Sequence, residues 1–156
     1  ASGAVCDELL TRLLAEPYFH RPAPKSTGRD LFHLAWLREA LNTLPKQPAA
    51  TDVQTTLAEL TARAVVADLH SQAPGCRRLL VCGGGAANTH VLNRLQALLP
   101  QVDVATTARV GVPVDQVEAV AFAWLARAWC ERHTASLPAV TGAAGSRILG
   151  ALYPAR

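Results

Sequence analysis

Residues 79–88 read LLVCGGGAAN, and this stretch decides the fold. The apolar residues at its start are typical of a short buried strand, and the three glycines predict a turn. Asn88 can cap a helix that the spacing predicts over residues 89–99. Consecutive glycines let another group approach the backbone, because no Cβ intervenes. The helix start beyond them offers unpaired N–H groups and a partial positive charge. Together these features suit a nucleotide.

The composition is that of a globular chain. Half of the 156 residues are hydrophobic, 17% are charged, and the formal net charge is only +3. The basic residues are scattered apart from Arg77-Arg78 and do not alternate with aromatic residues, so we expect no nucleic-acid partner. We also expect no membrane association and no signal peptide, because no apolar run reaches spanning length. The four cysteines are widely spaced, which favours a reduced, cytoplasmic protein without a metal site.

The spacing of apolar residues predicts four more helices and a second strand. These are a helix closed by Pro17, a helix from Gly28 opened by the capping box Thr27-x-x-Asp30, a helix capped by Thr51 or Asp52, a strand at 102–106, and a helix opened by Asp115-x-x-Glu118. The last helix would turn Val120, Trp124 and Leu125 inward. This order predicts an α/β fold with a parallel pair of strands.

Two strands make a thin sheet. The chain also begins at Ala1 and contains no methionine. We therefore expect residues 1–156 to form a single partial domain of a longer protein.

The glycine stretch by itself leaves several interpretations open. It can be a tight turn without a ligand. It can also belong to a nicotinamide-dinucleotide oxidoreductase, with Gly83 and Gly85 as the first two glycines of the fingerprint and Asp103 as the ribose carboxylate, although Asn88 replaces the third glycine. The phosphate loop of NTPases is excluded, because no Gly-Lys-Ser/Thr follows. A non-catalytic interaction domain is a further alternative.

Two other segments carry candidate binding groups at predicted helix starts. The first combines two cations with two hydroxyls, a set that suits a phosphate or a carboxylated sugar; it consists of Lys25, Ser26, Thr27, Gly28 and Arg29. A capped, solvated turn explains that segment equally well. The second group is Glu118, which can bind a sugar hydroxyl or close a capping box with Asp115.

Several segments, taken together, resemble the anhydro-N-acetylmuramic acid kinases. In family order they are PKSTGRD at 24–30, CGGGAAN at 82–88, GVP at 111–113 followed by VEAVAFAWLA at 117–126, LPAVTGA at 137–143 and LGALYP at 149–154. Small departures include Asp30, where the family usually has Glu, and Gln116, where an aromatic residue is common. The matches run from one end of the chain to the other.

The resemblance implies the actin/hexokinase-like ATPase fold, in which two lobes on ribonuclease-H-like sheets enclose ATP. This chain would be the C-terminal, nucleotide-binding lobe, truncated at its N-terminal side. The N-terminal lobe of the same polypeptide would carry the catalytic aspartate, so no catalytic residue is expected here. The implied reaction is the ATP- and Mg²⁺-dependent cleavage and phosphorylation of 1,6-anhydro-N-acetylmuramic acid to N-acetylmuramic acid 6-phosphate during peptidoglycan recycling.

The resemblance also implies roles for individual residues. The ATP-binding residues would be Gly83, Gly84, Gly85, Ala86 and Asn88. Residues 25–29 would shape the edge of the cleft near the nucleotide or the sugar, and Glu118 would contact the sugar. The expected partners are the amino sugar and the missing N-terminal lobe, and a homodimer is left open.

Overall fold

A computed structural model describes residues 2–153. Its helices are α1 (Asp7–Leu14), α2 (Pro17–His20), α3 (Leu34–Asn42), α4 (Ala50–Gln72), α5 (Thr89–Leu98), α6 (Val117–Cys130) and α7 (Pro138–Thr141), and its strands are β1 (Arg78–Val81) and β2 (Asp103–Thr106). The α/β class is thereby confirmed. Pro154, in the last matching segment, lies outside the described residues. Within residues 2–153, none of the helices combines the length and the apolar character of a membrane span.

The two strands form a parallel pair, as the sequence predicts. Arg78 lies opposite Asp103, and Val81 lies opposite Thr106. The Gln96 side chain fixes α5 against β2, because its Oε1 accepts from the Val104 N–H at 3.2 Å while its Nε2 donates to the Val102 carbonyl at 3.0 Å. Since the strands are parallel, their carboxyl ends share one edge of the sheet. The glycine turn begins at that edge.

The main core lies where α1 packs against α3 and α4. Its buried residues are Leu9, Leu10, Leu13, Leu44 and Leu60. Thr56 of α4 is also fully buried, and its hydroxyl accepts from the Cys6 N–H at 2.9 Å and donates to the Asp52 carbonyl at 2.7 Å. The start of α1 has no side-chain cap of its own. Thr56, on a neighbouring helix, therefore provides the hydrogen-bond acceptor for the backbone N–H at this helix start.

The prediction of a helix beginning at Gly28 is wrong, because α3 begins six residues later, at Leu34. The Gly28 carbonyl instead accepts from the N–H groups of Leu31 and Phe32, which closes a turn. The cap of α3 is His33, whose Nδ1 accepts from the N–H three residues on at 3.2 Å. An aromatic cluster holds the turn in place; its rings are Tyr18, Phe19, Phe32 and Trp36, with centroids 5.0–5.8 Å apart in contacting pairs.

Two further sequence predictions need correction. Neither Thr51 nor Asp52 caps α4, whose N-cap is Ala49; the Asp52 carboxylate instead accepts from the Ala4 N–H at 2.8 Å. The predicted inward face of α6 is largely exposed, and Ala128 is its single buried residue. Trp124 is 56% exposed and Phe122 is 70% exposed. The apolar pattern predicts burial, but the described residues do not cover this helix.

Replacing Thr56 by valine should destabilise the fold by about 1–3 kcal/mol, because it leaves the half-buried Cys6 N–H without its Thr56 acceptor at nearly unchanged volume. Denaturant unfolding measures the change. Thr11→Val is the matched control, since the Thr11 hydroxyl donates to a carbonyl one turn earlier but is exposed. Equal effects of the two variants would contradict a role for Thr56 in joining α1 to α4.

Candidate functional site

The backbone conformation of the glycine turn leaves one side of the turn uncovered. Gly83 has φ +67° and ψ −162°, a conformation that residues with a Cβ rarely adopt. Residues 84–87 form one 3-10 turn, which the sequence analysis did not anticipate, and Asn88 then caps α5 as predicted. The Asn88 Oδ1 accepts from the Val91 N–H at 3.2 Å. A Cβ added at Gly84 or Gly85 would meet no atom of this chain within 4 Å.

An open groove of about 390 Å³ separates the glycine turn from α4. One wall consists of Gly84, Gly85, Asn88 and Val91, and the other consists of Gln54, Leu57, Ala58 and Thr61. The walls offer apolar surface together with amide and hydroxyl groups, a combination that suits a flat, heteroatom-rich ring. Of the five predicted nucleotide residues, three line this groove. Ala86 is buried, and Gly83 contributes to the turn through the hydrogen bonds of its backbone.

The α4 wall of the groove is not among the sequence predictions. The spacing of apolar residues predicts α4 only as a helix, with no residue singled out for binding. Gln54, Ala58 and Thr61 recur at a spacing of four and then three, which places them along one stripe of the helix. The signal available in the sequence was this stripe of short or uncharged side chains beside the apolar face.

A buried carboxylate joins the two helices that flank the groove. The Glu59 side chain on α4 is 2% exposed. Arg94 on α5 contacts both of its oxygens, at 2.7 and 3.0 Å, and Arg63 contacts one oxygen at 2.9 Å. The hydrogen bonds from Arg94 outweigh the opposing effect of burial and, with the one from Arg63, lower the pKa of Glu59 from 4.5 to about 2. Glu59 is therefore a carboxylate throughout the physiological range.

Lys25 makes its contacts within the chain. Its Nζ lies 2.8 Å from the Asp68 carboxylate, donates to the Phe19 carbonyl at 3.2 Å, and stands 5.3 Å from the centre of the Tyr18 ring. The Lys25 side chain is only 11% exposed. Asp68, its partner on α4, lies about two helical turns beyond Thr61, which is the last residue of that helix to line the groove. The structure thus attaches Lys25 to α4 outside the groove.

The other four residues of that segment offer more accessible groups. Ser26, Gly28 and Arg29 are exposed, while Thr27 is half-buried. None of the four lines the groove beside the glycine turn. Their expected contacts at the cleft edge remain a prediction.

Glu118 lies in the first turn of α6 and is exposed. No side chain caps this helix, so the alternative of a capping box with Asp115 is wrong. The Gly83 N–H donates to the Val114 carbonyl at 2.7 Å and ties the segment before α6 to the glycine turn. The chain therefore links the Glu118 region to the predicted nucleotide residues, whereas Lys25 is attached to Asp68 of α4.

Asp103 is not free to act as a ribose ligand. Its Oδ2 lies 2.8 Å from the Nε of Arg78, its partner across the sheet, and its Oδ1 lies 2.8 Å from a guanidinium nitrogen of Arg109. The hydrogen bond from Arg78 and the charges of both arginines hold the pKa of Asp103 below its usual value. Both carboxylate oxygens are engaged, which disfavours the dinucleotide interpretation.

The part of the chain that the structure describes contains no cluster of three or more His, Cys, Asp or Glu side chains placed to hold a metal ion. These residues therefore do not form a protein cage for Mg²⁺. The expectation of Mg²⁺ stays a prediction about the complete protein.

Comparison with known proteins decides between the alternatives. The family model described as anhydro-N-acetylmuramic acid kinase matches residues 1–155. The chain belongs to the anhydro-N-acetylmuramic acid kinase family. The resemblance seen in the sequence is thereby confirmed.

Curated relatives that bear the name anhydro-N-acetylmuramic acid kinase include proteins of Cupriavidus metallidurans, Xanthomonas campestris and Pseudomonas paraeruginosa. They are 55%, 54% and 52% identical to this kinase-family chain, and each match covers 99% of it. The same matches cover only 41–42% of the relatives. The chain thus spans about two fifths of the length of these kinases.

The kinase-family chain should lose stability in acid through Glu59. Folding lowers the pKa of Glu59, so its carboxylate stabilises the folded state above the unfolded pKa, near 4.5. This stabilisation is lost as the pH falls towards 2. The expected loss across this window is about 3 kcal/mol. Denaturant unfolding from pH 7 to pH 2.5 measures it. Glu59→Gln should have a lower free energy of unfolding at pH 7, and this free energy should change less with pH below 4.5. The same dependence on pH in Glu59→Gln and the unmodified chain would contradict the assignment of the acid effect to Glu59.

Proposed function

We propose that the complete protein transfers the γ-phosphoryl group of ATP to 1,6-anhydro-N-acetylmuramic acid and opens its anhydro bridge. The observation that carries this proposal is the family match over residues 1–155, with relatives of that name at 52–55% identity. The product would be N-acetylmuramic acid 6-phosphate, as expected for cell-wall recycling in the cytoplasm.

This chain would supply the nucleotide side of the site. The adenosine part of ATP would lie in the groove between the glycine turn and α4, against the bare backbone of Gly84 and Gly85. Leu57 and Val91 would contact the base, while Gln54 and Thr61 offer hydrogen-bonding groups to its edge. The groove supports this proposal because it is open, mostly apolar with a few polar groups, and bordered on one side by two glycines.

The reaction balances with water as the second reactant. The water oxygen adds to the anomeric carbon, the bond from that carbon to O6 breaks, and O6 takes the γ-phosphoryl group as ADP leaves. A base must take the proton of the water; the family's aspartate, outside this chain, would do so. When bound, Mg²⁺ would neutralise the phosphate charge. This chain would contribute positioning, together with Glu118 as a contact for a sugar hydroxyl.

We further propose that the chain is a partial domain, the C-terminal lobe of an actin/hexokinase-like fold. The parallel pair of strands joined by α5 and the greater length of the relatives support this proposal. The exposed apolar side chains of α6, among them Val120, Phe122 and Trp124, would then pack against the remaining part of the polypeptide. Alternatively, a second copy of the protein in a homodimer would pack against the same apolar side chains of α6.

The activity of a polypeptide extended to the full length of its relatives tests the function. It should phosphorylate 1,6-anhydro-N-acetylmuramic acid when ATP is present, whereas residues 1–156 alone should not. Phosphorylated sugar can be detected by mass spectrometry. A folded long form that binds ATP without phosphorylating this sugar would overturn the substrate assignment, and one that binds NADH instead of ATP would favour an oxidoreductase.

Gly84→Val should weaken ATP binding by more than about tenfold, because the side chain would occupy the groove where the nucleotide meets the backbone. The melting temperature should stay nearly unchanged, since a Cβ added at Gly84 meets no atom of the chain within 4 Å. Calorimetric titration with ATP of the full-length protein measures the effect.

Gly75→Val is the matched control for this variant, because Gly75 also has open space around it and does not line the groove. It should bind ATP with normal affinity. Equal affinities of both variants and the unmodified protein would exclude the glycine turn from the site.

Glu118→Gln should raise the KM for the sugar by about tenfold, because a charged acceptor is lost from the sugar contact. The melting temperature should not change, as Glu118 is exposed and caps no helix. Glu131→Gln, which removes an exposed carboxylate just beyond the other end of α6, is the control. A lower melting temperature with an unchanged KM would assign Glu118 to stability instead.

A further inference from the structure

We propose that Glu59 and Arg94 are positioning residues for the nucleotide groove, which they hold at a fixed width by clamping α4 to α5. The inference rests on the proposed function, since it assumes that ATP binds between these elements. Neither residue lines the groove. Their effect on the nucleotide would be transmitted through the helices that carry its walls.

The ion pair of Glu59 and Arg94 lies next to both walls of the groove. Glu59 directly follows Ala58, which belongs to the α4 wall. Arg94 comes three residues after Val91, so it lies one turn beyond the α5 end of the opposite wall. The ion pair thus connects the two sides of the groove at a point adjacent to both of them.

The contact between Glu59 and Arg94 has two points. Arg94 donates from Nε to one Glu59 oxygen at 2.7 Å and from a terminal nitrogen to the other at 3.0 Å. A two-point contact of this kind fixes the orientation as well as the distance of its partners. The Glu59 side chain is almost completely buried, so releasing it from Arg94 would leave a poorly compensated charge between the helices.

The role of Arg94 differs from that of Arg63. Arg63 also contacts Glu59, at 2.9 Å, but both residues belong to α4 and lie one turn apart. That contact neutralises charge without joining the walls of the groove. Arg63 therefore offers a control that shares the carboxylate with Arg94 but lacks its connection between helices.

Arg94→Lys in the full-length protein tests the proposal. Lysine keeps the charge but cannot make the two-point contact. The affinity for ATP, measured by calorimetric titration well below the melting temperature, should fall by about tenfold, since small displacements of supporting groups have effects of this order. The KM for the sugar should stay within about twofold, because the pair lies beside the nucleotide groove alone.

Arg63→Lys is the matched control and should bind ATP within about twofold of the unmodified protein, even if it melts at a lower temperature. Glu59→Gln should weaken ATP binding at least as much as Arg94→Lys. Should Glu59→Gln fail to fold, the comparison of the two lysine variants decides the question.

The outcomes separate this inference from the function on which it rests. Normal ATP affinity in folded Arg94→Lys would overturn the positioning role and leave a contribution to stability only. Equal losses of affinity in the two lysine variants would also overturn it. An unmodified full-length protein that binds no ATP would overturn the proposed function, and the positioning role with it.

Discussion

The buried Glu59 carboxylate is the charge on which the arrangement of α4, α5 and the glycine turn depends. A carboxylate removed from water is tolerated only when its oxygens are paired. Arg94 provides this pairing across the interface of α4 and α5, and Arg63 adds to it within α4. Because α5 connects β1 to β2, fixing α5 against α4 also fixes the turn that precedes it. The groove thus owes its geometry to a buried ion pair at the interface of two helices.

Under the proposed function, the described residues offer more to the nucleotide than to the sugar. Both walls of the groove beside the glycine turn lie within the described residues, and Gly83 ties that turn to the segment before α6. For the sugar, Glu118 and Arg29 are candidates with exposed charges, whereas Lys25 is held by Asp68 and the Phe19 carbonyl. The apolar surface of α6 remains exposed. This asymmetry agrees with a chain that spans two fifths of the length of its kinase relatives.

Most features that the sequence predicts correctly are local ones. The glycine turn and the Asn88 cap depend on residues close together in the chain, so pattern and propensity suffice to find them. The parallel pair of strands joins residues 25 apart, and the strand–helix–strand order predicts it. The turn after Gly28 depends instead on the packing of Phe32 against rings up to fourteen residues away, which overrides the capping box. The contact of Glu59 with Arg94 spans 35 residues, so no local pattern could reveal it. The stripe of Gln54, Ala58 and Thr61 on α4 is visible in the sequence, but what it faces is not. The apolar pattern of α6 predicts a buried helix face, but that face is buried only when another surface packs against it.

Hydrogen–deuterium exchange of the full-length protein, with and without a non-hydrolysable ATP analogue, shows whether the nucleotide lies between the glycine turn and α4. The analogue should slow exchange at residues 83–91 and at the adjoining residues 54–61 of α4. Little change is expected at Lys25, which pairs with Asp68 of α4 outside the groove. Binding of the analogue that leaves residues 83–91 and 54–61 unchanged while protecting other segments would contradict this placement of the nucleotide.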